Sequence, residues 1–223
     1  QPGEERMLLH FIRYVLESDF HKCLDLTGFM RSNTFGTKLL AAYAKRGGGK
    51  SFLTSCLQGP IQQFLNLNDN DLEIDPLRLA KRLHLFSVLD LERPQIADIV
   101  EVRAIIDKNM PLLLEITSHI LDRIMDSVVE IPHGIRWLCK SLVQIGTSEL
   151  CGKITVKEKG VLVSGFVFLR FVLPAVVAPD AMGIVDQTVF QEERSGLTTV
   201  CLLPDCRPLC FLPLPLSPVC IFS

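Results

Sequence analysis

Three groups of residues have types and spacings that could do chemistry. The first is the run AKRGGGKS at 44–51, which ends like a phosphate-binding loop in Gly49-Lys50-Ser51. Such a loop needs G-x-x-x-x-G-K-[ST], because its first glycine lets the backbone fold around the phosphates. That glycine would stand at position 44, which is alanine, and no β-branched run precedes it to form the required buried strand. The run reads instead as a helix stop, with Lys45 and Arg46 in the last turn, glycines beyond it and Ser51 capping the next helix.

The second group is the eight cysteines. Cys23, Cys56, Cys139 and Cys151 fall in helical patterns with no C-x-x-C pair, and read as buried thiols of a reducing compartment. Cys201, Cys206, Cys210 and Cys220 crowd the end of the chain. No histidine accompanies them and their spacing fits no zinc template, so neither a metal nor another cofactor is expected.

The third group is two arginines. Arg31 lies in GFMRSNTFGTK (28–38), on a predicted loop before a helix that Ser32 or Asn33 would cap. Taken alone it is an ordinary surface arginine. Arg170 lies in VSGFVFLRFVLPAVVAPDAMGIVD (163–186), on a helix apolar nearly all round. A buried guanidinium has five N–H donors to satisfy, so this one must be held against carbonyls or a carboxylate.

The elements that must position these residues are helical. Leu8, Phe11, Ile12, Val15, Leu16 and Phe20 form a stripe at helical period. A short break follows, then helices from about Ser32, from Phe52 to Leu65, and from Pro76 as a first-turn proline. Residues 95–128 form the longest stretch, with an interruption expected at Pro111. Pro132 opens the next helix, whose core stripe is Ile135, Leu138, Leu142 and Ile145. No hairpin turn sits between alternating segments, so the fold class is all-α. Residues 161–178 are long and apolar enough for a membrane span, but a central arginine costs about 3 kcal/mol there and a buried helix explains the same letters.

The 223 residues suffice for one sizeable domain burying about 70% of its unfolded surface. A net charge of −2 and the lack of a basic stripe with interleaved aromatics exclude nucleic acid as the expected partner. The start at Gln1, with no signal-peptide pattern, predicts a fragment of a longer cytoplasmic protein. From about 187 periodicity fades. Residues 187–223 hold five of the thirteen prolines and no lysine, and are expected to lie outside the fold. The last four residues, CIFS, match a prenylation pattern without a preceding polybasic segment, and chance explains them better.

Together the two arginine segments resemble the catalytic domain of Ras GTPase-activating proteins. GFMRSNTFGTK is similar to that family's arginine-finger segment, L-F-R-x-N-[ST]-L-A-[ST]-K: Arg31, Asn33, Thr34, Thr37 and Lys38 match, while Met30, Phe35 and Gly36 depart. Phe168-Leu169-Arg170 matches the family's F-L-R signature, and Pro174, Ala175, Val176, Val177 and Pro179 its P-A-[IV]-[VL]-x-P element. VAPDA resembles the IQGAP branch; MGIVD and EIDPLRL resemble the neurofibromin branch. The resemblance covers residues 5–186.

The resemblance implies an irregular all-α helical bundle, incomplete at its C-terminus, because nothing in 187–223 resembles the family's later L-x-N-[LI]-A-N segment. It implies a GTPase activator, not an enzyme by itself, whose partner is a Ras-family small GTPase in its GTP-bound form. Membrane contact would come only indirectly, through that partner at the membrane periphery. By resemblance Arg31 is the catalytic finger and its carbonyl helps orient the GTPase's glutamine. Arg170, Asn33 and Thr34 support the finger loop. Phe168, Leu169, Lys38 and Pro174 line the groove that receives the partner. Two alternatives stand beside this reading: a module that binds a small GTPase without stimulating it, because groove wall is missing, and a membrane-attached helical protein.

Overall fold

The computed structural model describes residues 2–22, 26–67, 72–85, 91–149 and 154–202. The proline-rich end (203–223) with its CIFS ending, and Cys23 and Cys151, lie outside the described residues. Among the described residues there is no strand, and the chain is an irregular helical bundle.

Helix α1 (Pro2–Phe20) turns its apolar stripe inward: Ile12 and Leu16 are fully buried. It packs against α3 (Phe35–Ala44) and, across the bundle, against α8 (His133–Glu149). Between α1 and α3 lies a short helix, α2 (Leu26–Arg31), where the sequence predicted an irregular break. Gly28 does not stop it, because Phe29 and Met30 are buried and hold its inner face to the core. Thr34, not Ser32 or Asn33, caps α3: its hydroxyl accepts from the Thr37 N–H at 3.2 Å. Ser32 is instead bonded back into the end of α2.

Helix α4 (Gly47–Leu65) starts earlier than expected. Ser51 does not cap it but sits inside it, donating to the Gly47 carbonyl at 3.2 Å. The residues flanking the turn explain the glycines. Gly47 has φ +42, and a Cβ on Gly49 would stand 1.9 Å from the Ala44 carbonyl oxygen. The stretch is a tight helix-to-helix corner with no strand before it, not a phosphate loop.

Helix α5 (Pro76–Arg82) begins with Pro76 in its first turn and Asp75 as cap. With α6 (Arg93–Ala97) and the start of α7 (Val100–Asp126) it forms a small separate core of Leu79, Ala80, Ile96 and Val102. Helix α7 runs unbroken through Pro111, against expectation. Proline removes one backbone donor, but burial of Val102 and Asn109 before it and of Leu113, Ile120 and Ile124 after it holds the axis together. Helix α8 turns Ile135, Leu138, Leu142 and Ile145 into the main core, each at most 1% exposed.

The next three segments form one continuous helix over 156–177: α9 (Val156–Ser164), a π-helical stretch (Gly165–Val172) and α10 (Leu173–Val177). Thr155 and Glu158 close its start as a capping box. By length and composition this helix could cross a membrane, yet 61% of its most apolar window is buried inside the protein. Phe166 and Phe171 are fully buried.

Chain packing does not end at Asp186. Helix α11 (Gln191–Leu202) packs on α10 and α7, with Leu197 fully buried and Gly196 against the Phe64 ring. Arg194 fastens it by two bonds to the Asp180 carboxylate, at 2.6 and 2.8 Å. Partial burial works against the charged form of Asp180. N–H donors from Val189 and Ala181, with Arg194, outweigh that and hold its carboxyl below the usual range. This helix escaped the sequence reading because only Leu197 and Val200 mark its inner face.

Burial pushes the Cys56 thiol up to about 11 and the Cys139 thiol up to about 12, so both stay neutral packing groups at ordinary pH. Among the described residues no cluster of His, Cys, Asp or Glu could hold a metal ion.

Candidate functional site

The site is built from three elements: the end of α2, the start of α3 and the π-helical stretch. Their meeting depends on Gly165. A Cβ there would stand 2.7 Å from Met30 Cβ and 2.9 Å from Met30 Cγ, so only hydrogen lets the π stretch lie against α2. The π geometry closes its last ring with the Leu173 N–H donating to the Phe168 carbonyl, five residues back. Such wide turns are rare, occur mostly as single-turn bulges inside α-helices, and are frequent at functional sites.

From this wide turn the Arg170 side chain reaches across to the end of α2. Its Nε donates to the Met30 carbonyl at 3.0 Å, and its Nη2 donates to the Ser32 carbonyl in a short bond. The two acceptors flank residue 31 on either side. The last carbonyls of a helix have no partner within it, and they sit at the negative end of its dipole. A guanidinium satisfies both needs. Arg170 is half-buried, and the sequence requirement that it be held against carbonyls or a carboxylate is met by these two oxygens.

The turn is tied from the other side as well. Ser32 returns its hydroxyl to the Phe29 carbonyl at 2.6 Å and its N–H to the Gly28 carbonyl at 2.8 Å. Thr37, fully buried, donates its hydroxyl to the Ser32 carbonyl at 2.9 Å. The first turn of α3 is anchored on α1, because Gly36 N–H donates to Asp19 Oδ2 at 2.8 Å. A Cβ at position 36 would stand 2.8 Å from that oxygen, so the departure from alanine noted in the sequence makes room for the carboxylate.

Arg31 is the last residue of α2, not a loop residue, and it is exposed at the crest of this braced turn. Asn33, Phe35 and Lys38 are also exposed, and Thr34 is the half-buried cap. Of the residues expected to line a groove, Leu169 and Pro174 are half-buried and offer surface. Phe168 does not. At 4% exposure it belongs to the core, because the widened turn directs it inward beneath the surface.

Sequence reasoning missed Gly165, Asp19 and Thr37 as parts of this site. A glycine inside an apolar helix was the available signal for Gly165. Thr37 was visible only as a motif match, and nothing in the sequence points to Asp19.

A family model described as RasGAP, GTPase-activator protein for Ras-like GTPase, matches residues 11–202. Ras GTPase-activating-like protein rgaA of Dictyostelium discoideum is 26% identical over 89% of this chain and 25% of its own length. GTPase-activating protein and VPS9 domain-containing protein 1 of Bos taurus is 24% identical over 85% of this chain and 14% of its own. Human Ras GTPase-activating-like protein IQGAP3 is 28% identical over 82% of this chain and 12% of its own. The chain thus spans a quarter or less of the length of these relatives.

Proposed function

The chain belongs to the family of GTPase-activator proteins for Ras-like GTPases, and on that premise we propose that it stimulates GTP hydrolysis by a Ras-family GTPase, with Arg31 as the group inserted into the partner's site. Family membership implies a Ras-type partner. The GTP-bound state of that partner and the arginine's role are the further step.

The observation that carries the reading is the pair of bonds from Arg170 to the carbonyls of Met30 and Ser32. They fix the main chain on both sides of Arg31 and leave its exposed side chain at the edge of the molecule. Transfer of the γ-phosphoryl group to water spreads negative charge over the phosphate oxygens. An arginine brought in from outside neutralises that charge at a point already fixed in space. Its planar fork can bridge two oxygens, which an ammonium cannot do. Ordering the turn beforehand means that little has to be arranged when the partner docks. The Arg31 carbonyl would orient the partner's catalytic glutamine. Leu169, Pro174 and Lys38 supply neighbouring surface for the GTPase.

The test is single-turnover phosphate release from GTP-loaded Ras mixed with this chain, with Arg31→Ala and Arg31→Lys beside the wild type. For the established pair of Ras and its activator the acceleration is about 10⁵-fold. Both variants are expected to lose it by about 10³-fold or more while still binding. Wild-type protein that binds GTP-loaded Ras but leaves its hydrolysis rate unchanged would replace this reading with that of a non-stimulating binding module.

A further inference from the structure

We propose that Thr37 is a positioning residue for Arg31, acting through the Ser32 carbonyl; the inference rests on the reading of Arg31 given above. The Ser32 oxygen accepts from two donors on separate elements: Arg170 Nη2 from the π stretch and the Thr37 hydroxyl, at 2.9 Å, from α3. A carbonyl has two lone-pair directions, and both are occupied. One donor would fix this oxygen's distance from one element and leave it free to swing. Two donors on different elements fix its position.

Thr37 is suited to hold its end. It is fully buried, so its rotamer is set by packing. Its N–H is engaged by Thr34 Oγ1 at 3.2 Å, and the Thr34 hydroxyl reaches Thr37 Oγ1 at 3.3 Å. Its single hydroxyl proton has the Thr34 carbonyl as a longer alternative at 3.1 Å and takes the nearer Ser32 oxygen. The helix turn that carries it is pinned to α1 through Gly36 and Asp19. Thr37 therefore passes the position of the α1–α3 frame to the residue that follows Arg31, while Arg170 does the same from the opposite side. Small misplacement of a catalytic group costs far more in rate than in binding, since the arginine acts on charge that develops only in the transition state.

Two measurements on the whole chain test this. In the first, Thr37→Val and Thr37→Ser are compared with wild type by titrating each against GTP-loaded Ras. Valine keeps the volume and removes the hydroxyl, and serine restores it. Thr37→Val is expected to lower the maximal stimulated rate about tenfold or more with the half-saturating concentration unchanged, and Thr37→Ser to recover most of it. In the Arg31→Ala background Thr37→Val should change nothing further, because residues that act through one another are not additive. A second, additive loss, or a rise in half-saturating concentration alone, would overturn the proposal. An Arg31→Ala protein that stimulates as well as wild type would instead overturn the reading of Arg31. In the second measurement, needing no partner, amide hydrogen exchange across residues 29–34 should speed up in Thr37→Val while α7 and α8 stay protected. Unchanged exchange there would reject the brace whatever Ras does.

Discussion

At Gly165 a single hydrogen atom decides whether two elements can touch. Alanine would improve helix propensity at this position by about 1 kcal/mol. Its methyl would also overlap Met30, which is 1% exposed and has nowhere to go. Overpacking of that kind costs about 1–3 kcal/mol, which at least cancels the gain and over most of the range exceeds it. Gly165→Ala is expected to lower stability by up to about 2 kcal/mol in urea unfolding and, on the proposed reading, to weaken stimulation of the GTPase by shifting α2 away from Arg170. Unchanged values of both would mean that Met30 can retreat. The same scale shows what a sequence reveals of the site. Arg31 and Arg170 were legible, one by motif and the other by the cost of a guanidinium among apolar neighbours. Phe168 was misplaced because letters on a helix do not state which face a widened turn presents.

The element that sets the geometry is the π stretch at Gly165–Val172. Each residue of an α-helix turns the side chain by about 100°, so one residue too many or too few moves Arg170 to another face. Deleting Val167 would let the stretch relax to an ordinary helix. Helix content by circular dichroism is then expected to hold, while the Arg170 bonds to Met30 and Ser32 are lost and stimulated hydrolysis falls about as far as in an arginine knockout at 170. Retained stimulation would show that the wide turn is incidental to the site. Helical period and prolines located most elements, including the first-turn role of Pro76 and the core stripe of α8, whereas the expected caps at Ser32 or Asn33 and at Ser51 were not the ones used. They failed where tertiary burial overrides local signal. Helix α2 forms although Gly28 lies within it, and α7 continues through Pro111.

For the whole molecule, the extent of the packed chain was the least legible property. Helix α11 has a polar first half, and its apolar contribution rests on Leu197 and Val200, too few positions to show a period. Each fully buried aliphatic side chain contributes about 1.5–3 kcal/mol. A chain ended after Asp186 is therefore expected to lose about 3 kcal/mol or more and to expose Phe64, seen as a lower urea midpoint and a gain in binding of an apolar dye. An unchanged midpoint would mean that α11 merely rests on the surface. The brace around residue 31 has a different kind of reach. The bonds that Arg170 and Thr37 contribute to it end on the main-chain oxygens of Met30 and Ser32, and neither ends on the side chain of residue 31. On the proposed reading, a protein carrying alanine there retains those contacts and is expected to occupy GTP-loaded partners without discharging them. On that reading, one substitution would turn an off-switch into a decoy that prolongs the signal the proposed activity ends.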